Sequence, residues 1–209
     1  MMNNLVSIIT PSYNSEKFIA NTIASVLAQT YTFWEMIIVD DCSTDNSVKI
    51  INSFKDKRIK LITLKENSGA AVARNKAIAK AKGNFIAFLD SDDFWYPNKL
   101  EVQINFMVKN NYKLTYTSYQ QVDENATPIK KIECHKKLSY QDLLSANRIG
   151  CLTAVYAADK LGKIYMPTIR KRQDYAFWLS ILKKIDYAYG IQQVLANYTI
   201  RNQSISNNK

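Results

Sequence analysis

Asp90, Asp92 and Asp93 stand within four residues, directly behind the apolar run Phe85-Ile86-Ala87-Phe88-Leu89. Carboxylates packed so closely repel one another and raise one another's pKa. At the end of a buried strand they are costly unless a cation neutralises them. An all-oxygen set of this kind suits Mg2+ or Mn2+, ions that in turn bind diphosphates. The same residues also read as an acidic turn capping a helix that starts at Pro97. Arg74 points to the same place. Within the alanine-rich stretch 69–82 it shares a helical face with Ala70, Ala77 and Ile78, the apolar stripe. An arginine on a core-facing stripe needs a carboxylate or a phosphate, so an ion pair with one of the aspartates and a grip on a ligand are both open.

Other ways of holding a nucleotide are missing. The chain has five glycines, and none forms GxGxxG or GxxxxGK[ST], which excludes a dinucleotide fingerprint and a P-loop. A nucleotide must therefore be held by metal and side chains. No Ser-His-Asp or Cys-His arrangement is visible, and the single histidine, His135, reads as a surface residue beside lysines. Cys42, Cys134 and Cys151 form no CxxC pair, which argues against zinc and suits a reducing cytoplasm. No apolar run reaches the length of a membrane span, and the start does not read as a secretory signal.

The charge is uneven. Residues 1–98 carry a net charge of +1 and residues 99–209 carry +9, out of +10 in all. A basic half suggests an anionic partner, such as phospholipid headgroups or an acidic acceptor, or simply a solvated face. Nucleic-acid binding would call for aromatics interleaved with the basic residues. Lys130-Lys131, Lys136-Lys137, Arg170-Lys171-Arg172 and Lys183-Lys184 mostly lack them, so no nucleic-acid partner is expected.

Elements must bring these residues together. Apolar runs at 6–10, 36–40, 59–64 and 84–90 read as strands, and 17–29, 47–54 and 69–82 as intervening helices, the last ended by Gly83. Such alternation predicts an α/β fold, a mostly parallel sheet with right-handed crossovers and ligands at the strands' carboxyl ends. Those ends carry Pro11-Ser12-Tyr13-Asn14, Asp40-Asp41 and Asp90-Ser91-Asp92-Asp93. Beyond Pro97 the pattern weakens to a helix near 97–109, strands near 113–120 and 151–157, and a helix near 174–184. No linker divides the chain, so one domain with two functional halves, 1–98 and 99–209, is expected. Trp95, Tyr96 and Trp178 are candidates for an aromatic platform beside the acidic turn, with core packing as the alternative.

In order along the chain, Val6-Ser7-Ile8-Ile9-Thr10-Pro11-Ser12-Tyr13-Asn14, Ile38-Val39-Asp40-Asp41-Cys42-Ser43-Thr44-Asp45, Asn67-Ser68-Gly69 with Arg74-Asn75, Phe88-Leu89-Asp90-Ser91-Asp92-Asp93 and Arg172-Gln173-Asp174-Tyr175 resemble family 2 glycosyltransferases of the GT-A fold, of the type that builds bacterial capsular polysaccharide, lipopolysaccharide or teichuronic acid. The resemblance implies that Pro11 and Tyr13 line the base pocket and that Asp41 accepts a hydrogen bond from the base. It sets Arg74 near the base or diphosphate, Asp90 on the ribose with Ser91 beside it, and Asp92 on a Mn2+ or Mg2+ ion. It makes Asp174 the catalytic base, although Gln173 stands where many members have Glu; Asp174 also reads as a helix N-cap. The activity implied is inverting transfer from a nucleotide-sugar donor, UDP favoured, to a glycan or lipid-linked glycan. A catalytically inactive nucleotide-sugar binder and a sugar-phosphate nucleotidylyltransferase are the rival readings. The latter would show a glycine-rich loop after the first strand, where Pro11-Ser12-Tyr13-Asn14-Ser15 stands. A cytoplasmic enzyme, peripheral at an anionic membrane surface, is expected.

Overall fold

The computed structural model describes residues 4–169 and 171–201. Its first part alternates as expected: β1 (Val6–Ser12), α1 (Ile19–Leu27), β2 (Trp34–Asp40), α2 (Ser47–Ser53), β3 (Ile59–Thr63), α3 (Ala70–Lys80) and β4 (Phe85–Phe88). There follow β5 (Phe94–Trp95), α4 (Lys99–Asn110), β6 (Leu114–Val122), β7 (Pro128–Ile132), β8 (Lys137–Leu138) and α5 (Tyr140–Ser145). A 3-10 turn (Cys151–Thr153), β9 (Val155–Ala157), α6 (Ala158–Leu161), α7 (Gln173–Leu182) and β10 (Ala188–Thr199) complete the described chain.

One sheet runs in the order β3-β2-β1-β4-β9-β6-β10-β5, with β7 on β6 and β8 on β10. β3, β2, β1 and β4 are parallel, the short β9 is antiparallel to both its neighbours, and β10 is parallel to β6. Strand alternation splits the core in two. Ile9, Ile37, Val39 and Phe88 pack with Ala73, Ala77 and Ile78 of α3 and Phe177, Trp178 and Ile181 of α7. Ile8, Met36, Ile38 and Ala87 pack with Ile19, Ile23 and Val26 of α1 and Leu100, Ile104 and Met107 of α4.

Three expectations need correction, and for two tryptophans the structure decides between the readings left open. The stretch near 151–157 is a 3-10 turn followed by three strand residues, and β5, β7, β8 and the twelve-residue β10 were not foreseen. Pro97 precedes the N-cap Asn98 of α4 rather than opening the helix. Gly83 does not end α3, which stops at Lys80 with Ala81 as its C-cap. Glycine is required there because a Cβ would lie 2.6 Å from the Ser7 amide nitrogen and 2.7 Å from the Leu5 and Phe85 carbonyl oxygens. Trp95 and Trp178 are core residues at 3% and 0% exposure, so only Tyr96, at 40%, could meet a ligand.

Candidate active site

The carboxyl ends of β1 and β2 are stitched into one rim. Asn14 donates its N–H to Ser43 Oγ (2.9 Å) and accepts the Thr44 N–H (2.9 Å), Glu16 accepts the Asn46 N–H (3.0 Å), and Asp45 accepts those of Glu16 (3.0 Å) and Ser47 (2.9 Å). Asn14 and Cys42 sit at φ 46 and 64, the left-handed region that costs a side-chain-bearing residue free energy. Pro11 is buried within β1, paired with Val39. It falls past Ile9↔Phe88, the last β1–β4 pair, where one flank of the strand has opened and a missing N–H is tolerated. Tyr13 follows on the rim, 48% exposed. Asp41 is buried, and its carboxylate accepts the backbone N–H groups of Ser68 (2.7 Å) and Gly69 (2.8 Å), fixing the turn into α3. Gly69, at φ 89 and ψ 158, holds a conformation essentially reserved to glycine.

The acidic turn after β4 is held from three sides. The Thr22 hydroxyl of α1 is shared between the Ser91 (3.0 Å) and Asp93 (2.8 Å) carbonyls, which pins the backbone and leaves Ser91 buried. Asp93 Oδ1 accepts the Thr199 N–H (2.9 Å) at the end of β10. Burial, then the neighbouring Asp92 and Asp90, pushes the Asp93 carboxyl well above the ordinary range. Asp93 is thus an internal strut. Asp92 is raised by burial and by Asp90 against the opposing pull of Arg201, whose Nε lies 2.8 Å from Asp92 Oδ2. Arg74 Nη2 lies 2.5 Å from Asp90 Oδ1. Burial works against the Arg74 charge, but Asp90, Cys151 and Asp174 together hold the guanidinium above its ordinary value. Of the two alternatives for Arg74 the ion pair with an aspartate is the one observed, at the sheet's carboxyl edge. Its Nε is buried with no hydrogen-bond partner among the described residues.

Arg74 also joins the distant segment. Its Nη1 donates to Gln173 Oε1 (3.3 Å) across 99 residues of sequence, which brings the neighbouring Asp174 to the acidic turn. Asp174 is not an N-cap. Arg172 holds that position, at φ 60, and Asp174 lies in the first turn of α7. Asp174 Oδ2 accepts from Asn147 Nδ2 (2.9 Å). Asn75, next to Arg74, clamps the approach to α7 by bonding both backbone groups of Met166 (2.7 and 2.8 Å). A cleft of about 790 Å3 opens between residues 67–72 and Thr168, Ile169, Lys171 and Gln173. A smaller hollow of about 380 Å3, between residues 139–141 and 182–186, contains none of these groups. Cys151 lies where the charges of Arg74, Asp90 and Asp174 reach it, and burial pushes its thiol well up. Sequence reasoning missed Asn147, Asn75 as a clamp, Thr199 and Arg201. Asn75 stands beside Arg74 in the sequence, but its partner does not, and Asn147, Thr199 and Arg201 are brought in only by the fold.

Asp92 offers the oxygen chemistry that suits a hard divalent cation. Asp92 is a desolvated carboxylate with a like charge beside it, and a guanidinium already stands at its oxygen. No group of three or more His, Cys, Asp or Glu arranged to hold a metal occurs among the described residues.

A sheet of this topology, with an acidic turn after β4 that Arg74 joins to Gln173 of α7 beside Asp174, is that of the GT-A glycosyltransferases. Residues 7–169 match the family model described as glycosyl transferase family 2, and the chain belongs to that family. It is 50% identical over 208 residues to TuaG of Bacillus subtilis (strain 168), a glycosyltransferase provisionally assigned by its name to teichuronic acid biosynthesis; the match covers 98% of this chain and 82% of that one. It is 45% identical to WfgD of Escherichia coli, a UDP-Glc:alpha-D-GlcNAc-diphosphoundecaprenol beta-1,3-glucosyltransferase, over 100% of this chain and 82% of that one. Among solved structures, S. aureus TarS 1–349 in complex with UDP-GlcNAc superposes with a TM-score of 0.81 at 24% identity, over 95% of this chain and 59% of that one. The mannosyltransferase PcManGT from Pyrobaculum calidifontis, with GDP-Man and Mn2+, gives 0.71 at 18% identity, over 96% and 58%. At these identities the likeness is one of fold.

Proposed function

We propose that this glycosyltransferase moves a sugar, with inversion, from a UDP-sugar to a hydroxyl of a lipid-linked glycan during synthesis of a bacterial surface polysaccharide. The observation that carries the reading is the Asp90–Arg74–Gln173 connection, which sets Asp174 beside the acidic turn. The exposed Tyr13 stacks on the base above Pro11, while Asp41 holds the turn that borders the base and offers it an acceptor. Asp90 and Ser91 meet the ribose, and Asp90 keeps Arg74 aimed at the diphosphate. Asp92 is the residue that would hold Mn2+ or Mg2+, which when bound would supply Lewis-acid stabilisation of charge on the diphosphate.

Asp174 takes the proton of the acceptor hydroxyl, with Asn147 holding its other oxygen. The hydroxyl oxygen forms its bond to the anomeric carbon on the face opposite the diphosphate. The bond from that carbon to the diphosphate oxygen breaks, and the nucleotide leaves with the electron pair. No covalent enzyme intermediate is needed, and the configuration inverts. Asp174→Asn is expected to keep UDP affinity and lose transfer by on the order of 10²-fold or more, the usual share of a general base. Transfer at the parental rate by this variant would leave Asp174 as a residue of the helix start alone.

The lipid-linked acceptor is supported by the diphosphoundecaprenol acceptor named for WfgD. Among the described residues no helix is long and apolar enough to cross a membrane. We therefore infer a site of action at the inner membrane face, reached from the cytoplasm and held by basic residues of the second half.

A further inference from the structure

The last described residues of the chain are fixed against the acidic turn. Thr199 donates its N–H to Asp93 Oδ1 (2.9 Å), and Ile200 donates to the Val122 carbonyl (2.8 Å). The next side chain, Arg201, reaches Asp92 with Nε 2.8 Å from Oδ2. Its guanidinium lies 5.4 Å over the Phe18 ring. The two arginines of the site are held differently. Arg74 projects from the interior of α3, with its side chain 10% exposed, and is tied to both Asp90 and Gln173. Arg201 extends from a strand end with 32% of its side chain exposed, and its carboxylate partner is 18% exposed. Of the two arginine side chains, that of Arg201 is the more exposed.

We propose that Arg201 is the exchangeable counter-ion of Asp92. It neutralises this carboxylate while no divalent cation is present. When a cation takes the carboxylate, it swings onto the diphosphate of the donor. The inference rests on the reading of Asp92 as the metal ligand. The physical basis is competition between like charges: a guanidinium and a divalent ion repel each other on one carboxylate. Without Arg201, Asp92 would remain a desolvated charge beside Asp90, the costly arrangement that a cation relieves. A strand end tied to Asp93 gives the arginine a fixed pivot, and the Phe18 ring gives the guanidinium a flat surface to rest on. The empty site is thereby kept ordered, and the same charge is available to the leaving group.

Calorimetry on the full chain separates the possibilities. With Mn2+ as the only ligand, Arg201→Gln is expected to bind the ion more tightly than the parent, by about fivefold, the scale of a partly exposed ion pair. With Mn2+ saturating and UDP as the titrant, the same variant is expected to bind about tenfold more weakly, the scale of one charge-assisted contact. Arg201→Lys recovers part of both effects. Asp92→Asn is the control and loses Mn2+ binding. If Arg201→Gln leaves Mn2+ affinity unchanged or lowers it while Asp92→Asn abolishes it, the exchange is overturned and the metal assignment stands. If Asp92→Asn keeps parental Mn2+ affinity, the metal assignment falls and the exchange falls with it. Unchanged UDP affinity in Arg201→Gln refutes the transfer of the guanidinium to the diphosphate.

Discussion

At the first position of α4 a lysine lies wholly inside the protein. Lys99 is 0% exposed, donates to Gln103 Oε1 (2.8 Å) and rests 4.1 Å over the Trp95 ring. Burial pushes its pKa from the ordinary 10.5 down to about 7. Between those two values the native state has released the proton and the unfolded chain still binds it, so stability rises with pH across that window. Below about 7 both states are protonated and the buried charge carries its full cost. Lys99→Met keeps the length of the side chain and removes the charge. Its melting temperature is expected to exceed the parent's at pH 7, with the gap narrowing towards pH 9; Gln103 keeps its bonds to Thr115 and Thr153. Calorimetric melts at pH 6, 7.5 and 9 test this, and a parallel slope in both proteins would remove Lys99 as its source. Nothing in the sequence marked Lys99. It lies near the start of a helical pattern, where lysine normally faces water, and its burial comes from packing of α4 against β6 and β10.

Among the elements, the crossing at Gly83 is the least forgiving. A methyl group there would meet three backbone atoms at 2.6 to 2.7 Å, belonging to β1, β4 and the residue ahead of β1. Backbone inside a sheet cannot yield, so Gly83→Ala is expected to cost about 3 kcal/mol or more, lowering the melting temperature by roughly 6–12 °C. Gly162→Ala is the comparison: its φ of 73 and ψ of 177 strain an alanine, yet nothing lies within 4 Å, and about 2 kcal/mol is expected. Equal effects of the two substitutions in thermal melts would dismiss the close approach. The first seven elements were legible because their apolar runs have clear lengths and each is followed by turn chemistry such as Asp41 and Gly69. The position of Gly83 was legible while its reason was not, since a collision with β1 is invisible to local pattern. Beyond Pro97 the signal failed for a physical cause. β10 alternates buried and exposed segments irregularly, slips register twice against β6, and pairs with three strands from other parts of the chain.

For the molecule as a whole, the basic second half is borne on the surface. Lys130, Lys131, Lys136, Lys137, Lys183 and Lys184 are exposed, as are Lys171 and Arg172, while Arg170 lies outside the described residues. Under the membrane reading, binding to anionic vesicles is expected to fall steeply from low to physiological salt, as the Debye length drops from about 30 Å at 0.01 M to about 8 Å. Neutral vesicles should bind far less. Charge reversal at Lys171 and Arg172 is expected to weaken binding more than reversal at Lys55 and Lys57. Arg58 is unsuited as a control because it forms an ion pair with Asp56 and stacks 3.8 Å over Trp34. Co-sedimentation without preference for anionic lipid would leave the charge to solubility or to an acidic acceptor. The charge asymmetry itself was legible from composition, but its distribution over faces depends on the strands that pattern could not foresee.

The bond from Thr199 to Asp93 spans 106 residues, and this has a meaning in time as well as in space. A ribosome adding about 5–20 residues per second makes the acidic turn some 5–20 s before the strand that braces it. During that interval β1 to β4 can pair and Arg74 of α3 can meet Asp90, yet Asp93 has no strut, Asp92 no arginine and Arg74 no Gln173. The nascent chain is then a sheet with an unfinished edge and two carboxylates without their later partners. The acidic turn gains its full set of partners only after residue 201 has been made.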